Sequence, residues 1–187
     1  MLAWSLSQFP FERHAHCCPK SILAVVLAIV LFSLGDRSGT LVQVMGEKAE
    51  MDRLELKAEE AMANGDPNGA TLAIGRAALM ASILEEMESN PHTKLVYGSA
   101  EDLFRIQENT YRALALFEQA GGQHPAPSGV CQLLSLANNH GRSATRKLNQ
   151  ATTGTEADSN DLYDRLTEKT QEWVQMVEDL QADFSCL

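Results

Sequence analysis

The side chains in this chain of 187 residues with the most chemistry to offer are its four cysteines and five histidines. Cys17 and Cys18 precede an apolar run, whereas Cys131 and Cys186 lie far beyond it. In an oxidising compartment the latter two can be joined, so they are the candidate disulfide. On the chain-entropy account, closing a loop of that length contributes about 4 kcal/mol. Metal binding would need convergent ligands. His124, Cys131 and His140 are near one another in sequence, yet nine residues separate Cys131 from His140, more than two helical turns. The spacings Cys-x-x-Cys, Cys-x-x-Cys-His and His-Glu-x-x-His are all missing. Haem held by one His and one Met would draw on His92, His124 or His140, all in or near expected loops, while the methionines fall on core stripes where they fill gaps. No metal and no cofactor is therefore expected.

Catalytic constellations fare no better. Glu59, Glu60, Glu85, Glu86 and Glu88 read as solvated acidic faces, and a di-iron bundle would need inward Glu-x-x-His pairs that do not occur. Gly65-x-x-x-Gly69 lacks the lysine of a phosphate loop, and no Ser-His-Asp order is legible. With no catalytic residue to name, a non-enzymatic protein is expected.

Net charge narrows the partners. The chain carries 15 basic against 25 acidic residues, a formal charge of −10. Such a surface repels phosphate backbones, so nucleic acid is excluded as a partner. Only His140, Arg142, Arg146 and Lys147 run against this trend; they are expected to be the cationic end of a helix, favouring its dipole, with an anion or lipid-phosphate site as the alternative.

Compartment turns on the run from Ser21 to Gly35. Ile22 to Leu34 is shorter than the roughly 20 apolar residues that span a bilayer as a helix. Arg13 and Lys20 supply a positive flank, and Ser33-Leu34-Gly35 supplies small residues for cleavage before Asp36. The long flank leaves an uncleaved anchor as the alternative, contacting the membrane through residues 21–35, with Cys17 and Cys18 then open to acylation. In either case the positive flank stays inside. Residues 1–35 are thus expected to be a signal peptide or short anchor. Residues 36–187 form an extracytoplasmic domain, periplasmic or secreted, or anchored with everything after residue 35 outside the cytoplasm.

These residues must be positioned by helices, since alternating β-branched runs are missing after residue 45. The capping pattern at Thr40-Leu41-Val42-Gln43 opens a first helix that reaches about Asn64 and stops at Gly65. Asp66-Pro67 starts a second, apolar around much of its circumference, lasting to about Ser89 and expected to be the central one. Ser99-Ala100-Glu101-Asp102 opens a third, closed by Gly121-Gly122. A fourth begins near Ser128 and is expected to break at Asn138-Asn139-His140-Gly141; a flexible connector follows near 150–158. The last runs from about Ser159 to Phe184, with Leu166, Trp173 and Leu180 in one heptad position and Tyr163, Thr170, Val177 and Phe184 in another. The fold expected is all-α, an antiparallel bundle of four to five helices.

The stretch GDPNGATLAIGRA resembles one tetratricopeptide unit. With Gly65-Asp66 as its turn, Ala70, Ile74 and Ala77 take the small, bulky and small positions of the second helix, and Leu54, Ala58 and Ala61 suit the first. Lys57 and Ser82 depart from the pattern, and no second copy follows at the repeat spacing of about 34 residues. The resemblance implies, at most, a degenerate repeat-like scaffold. The function expected is protein–protein interaction or self-association through a spare apolar stripe on the first or last helix. Tyr163, Trp173 and Phe184 would be the anchors of a partner face if left exposed, and core residues otherwise. The alternative is a small-molecule or cofactor carrier, with a pocket beside the Ala-rich second helix.

Overall fold

Our computed structural model of the chain describes residues 46–151 and 157–186. The expected signal or anchor, Cys17, Cys18 and the expected helix start at Thr40 lie outside them. Every regular element among the described residues is helical: α1 (46–63), α2 (Pro67–Met87), α3 (Pro91–Gln119), α4 (Ser128–Ala151) and α5 (Ala157–Asp183). Together they make an all-α bundle.

Local signals explain where the helices start and stop. Gly65 takes φ +72°, the left-handed value that glycine adopts without penalty, and the amide of Asp66 donates to the Ala61 carbonyl as α1 ends. The Asp66 carboxylate then accepts from the Gly69 amide at 2.8 Å, and Pro67, which has no amide hydrogen to leave unpaired, takes the first position of α2. The same grammar recurs at Asn90-Pro91, where the Asn90 side chain accepts from His92 at 2.9 Å. That cap starts α3 eight residues earlier than the Ser99 pattern predicts. Ser99 is fully buried mid-helix, its hydroxyl donating to the Val96 carbonyl.

One further expectation is corrected. α4 runs unbroken through Asn138-Asn139-His140-Gly141. Gly141 is buried where α4 passes α5, and a Cβ built there would lie 2.6 Å from Cγ2 of Val174. The glycine permits a close crossing instead of ending a helix. α4 reaches Ala151 and α5 begins at Ala157, so Gln150, Ala151, Ala157 and Asp158 at the edges of the expected connector are helical, while residues 152–156 lie outside the described ones.

The central helix is α3, not α2. α3 packs against α2, α4 and α5, and buries Val96, Leu103, Phe104 and Ile106 almost completely. Removing one such side chain from water is worth about 1.5 to 3 kcal/mol. α2 packs against α3 and buries Ala70, Ala73, Ile74, Ala77, Ala78, Ala81 and Leu84, mostly small residues that allow close packing, in the shared core. α1 contributes Met51, Leu54 and Ala58 to the same core. It is held to α5 by Arg165 on Asp52 at 3.2 Å and by Lys169, which reaches Glu55 at 2.8 Å and Glu59 at 3.3 Å. Among the described residues, no helix is long and apolar enough to cross a membrane.

Candidate interaction surface

α2 carries apolar residues on two opposite sides. The inner side is buried in the core shared with α1 and α3. The outer side presents Leu72 at 62% exposure, Leu79 at 53%, Met87 at 39% and Ile83 at 37%. These positions recur at helical spacing, so they share one face, with Arg76 and Glu86 exposed among them. Neither Arg76 nor Glu86 forms an ion pair with another described residue. Beside this face a groove of about 430 Å³ opens between α2 and α3, lined by Leu72, Gly75, Leu79 and the apolar stems of Arg76 and Arg105. Glu108, bonded to Arg105 at 2.7 Å, lies 3.5 Å from where a Gly75 side chain would begin.

The aromatic residues of α5 are placed differently. Trp173 meets Tyr111 edge to face, ring centroids 5.5 Å apart. Phe184 stacks on Phe117 at 4.8 Å and on His124 at 5.7 Å. Tyr163, Trp173 and Phe184 are each half-buried and packed against the chain's own core, as is Leu180, while Thr170 and Val177 are fully enclosed. The hydroxyl of Tyr111 is pushed up to about 12 by burial, reinforced by the nearby Glu59 and Glu55.

Cys131 and Cys186 form a disulfide, with sulfurs 2.08 Å apart. It closes the far end of α5 onto the start of α4, next to the Phe117–His124–Phe184 cluster.

The basic cluster does not sit at a helix end, because α4 continues to Ala151 and its last turn contains no basic residue. Two of its members instead serve a buried carboxylate. Asp102 on α3 is bonded to His140 Nδ1 at 2.8 Å and forms an ion pair with Lys147 Nζ at 2.9 Å. Lys147 also donates to the Gly98 carbonyl at 2.8 Å. Burial pushes the Asp102 carboxyl up, but His140, Lys147 and Ser143 together outweigh it and hold it below its ordinary value. Arg142 and Arg146 point elsewhere, into a groove of about 460 Å³ between α4 and α5 that also contains Thr145, Asn149 and Glu178. Sequence reasoning missed the Asp102 cluster. The signal available was an acid on the same stripe as Leu103, Ile106 and Thr110, where a charge needs a partner on the facing helix.

Among the described residues, no group of three or more His, Cys, Asp or Glu side chains could hold a metal ion. Comparison with protein-family models, with curated proteins and with solved structures finds no match to this chain.

Proposed function

We propose that this chain is a non-enzymatic helical module, exported or membrane-tethered, that works by docking another protein surface on the outer face of α2. The observation that carries this reading is the row Leu72, Leu79, Ile83 and Met87, left in water on a helix whose other side is fully packed. Removing apolar area from water is the main driving force of association, and contiguous exposed apolar patches on folded proteins mark docking sites. The Cys131–Cys186 disulfide supports an extracytoplasmic location, because such bonds persist where the medium is oxidising.

The test places a photoreactive side chain at residue 79 in the host cell, with a second at Lys94, which is also exposed. Residue 79 should yield a cross-linked adduct and residue 94 should not. Equal yields at both positions, or no adduct at 79, would remove the α2 face from consideration.

A further inference from the structure

Resting on the reading of the α2 face as an interface, we propose that its occupant is a second copy of this chain, with the two α2 helices antiparallel about a two-fold axis at the level of Ala81.

The outer residues Leu72, Arg76, Leu79, Ile83 and Glu86 follow one another at alternating steps of four and three, the spacing of a coiled-coil seam. That seam is about 20 Å long at the helical rise. Laid antiparallel so that paired residue numbers sum to 162, its stretch from Arg76 to Glu86 is self-complementary. Leu79 of each copy meets Ile83 of the other, and Arg76 of each meets Glu86 of the other. Leu72 of each copy falls level with Asn90 of the other, just past the end of α2, so the paired layers run from Arg76 to Glu86.

The alternatives are disfavoured by charge. A parallel pair sets Arg76 against Arg76 and Glu86 against Glu86. Sliding the antiparallel pair by one heptad sets Arg76 against Leu79, or Glu86 against Ile83, and buries a charge without a partner. Of these arrangements, only the antiparallel one with numbers summing to 162 pairs Arg76 with Glu86 while setting Leu79 on Ile83. The seam itself carries one cation and one anion per copy, so the acidity of the rest of the surface does not oppose contact there.

Sedimentation of the purified, disulfide-bonded chain tests this. The unmodified chain should be a dimer. Arg76→Glu and Glu86→Arg, both at exposed positions, should each weaken it by at least about tenfold, because like charges then face each other. An equimolar mixture of the two single variants should recover the dimer, and so should the double variant R76E/E86R. A monomeric unmodified chain, or a dimer indifferent to both reversals, would overturn the proposal. The residue 79 cross-link separates the two readings without relying on folded variants. An adduct to a second copy near residue 83 supports self-pairing. An adduct to a different protein overturns self-pairing while leaving the docking face intact, and no adduct overturns both.

Discussion

Replacing Gly141 by Ala pits two effects of similar size against each other. Alanine in a helix interior is favoured over glycine by about 1 kcal/mol. The new Cβ, however, would lie 2.6 Å from Cγ2 of Val174, and valine on a helix has one strongly preferred rotamer with little freedom to turn away. Overpacking of this kind costs about 1 to 3 kcal/mol, so Gly141→Ala should lose about 1 kcal/mol net. Val174→Ala alone should lose about 1 kcal/mol with its methyl groups. In the double variant the clash is gone, since the next neighbours, Ile106 Cδ1 at 3.7 Å and Val174 Cβ at 3.9 Å, are at ordinary contact distance. The double variant should therefore be close to the original in stability. That is a coupling of about 2 kcal/mol, or roughly 4 to 8 °C in Tm for a domain of this size. Urea or thermal denaturation of the four proteins measures it. Gly98→Ala is an internal control: its Cβ would meet the mobile carboxyl end of Glu85 at 2.8 Å, which can move, so the propensity gain should survive and Tm should rise. Additivity of Gly141→Ala and Val174→Ala to within about 0.5 kcal/mol would refute the crossing contact.

Cys131→Ser or Cys186→Ser should lower stability by about 4 kcal/mol, and a reductant should lower the melting temperature of the unmodified chain but of neither variant. Asp102→Asn should cost about 2 kcal/mol at neutral pH, since hydrogen bonds to charged groups are the stronger kind. Because the folded state holds the Asp102 carboxyl below its ordinary value, that contribution is present above the ordinary carboxylate range and is lost as pH falls through the lowered value. The gap between the two proteins should therefore close in acid, which denaturation at a series of pH values would read. Tyr111 should ionise near pH 12 by ultraviolet absorbance. Since its raised pKa favours the fold until the unfolded hydroxyl ionises, stability should fall between about pH 10 and 12 in the unmodified chain. Tyr111→Phe should reduce that loss, the remainder coming from Tyr97 and Lys169, whose values the fold also raises.

Much of the architecture is legible in short stretches of chain. Gly65-Asp66-Pro67 announces a stop, a cap and a restart within three residues, because each acts through its own backbone geometry. Asn90-Pro91 has the same form, and the Ser99 pattern beside it is a false start because a buried seryl hydroxyl can bond back to its own helix. The spacing of Leu166, Thr170, Trp173 and Val177 identifies the inward face of α5, since periodicity depends only on the helical repeat. Gly141 shows the opposite case. A glycine after two asparagines reads as a break, and only its neighbour across the crossing, Val174, shows why it is there.

What the sequence determined by itself is helical content, most helix boundaries and the acidic balance, all properties of local backbone preference or composition; it left Cys131 and Cys186 as a candidate pair, which the fold brings together. What tertiary structure alone decided is which surfaces are consumed. α2 is apolar on two sides, and its sequence is equally suited to a helix buried all round; packing in the shared core covers the alanine side and leaves Leu72, Leu79, Ile83 and Met87 in water. The same docking brings Asp102 to His140 and Lys147 across 38 and 45 residues of chain. Contacts of that kind depend on the relative placement of whole helices, a quantity that no window of neighbouring residues encodes.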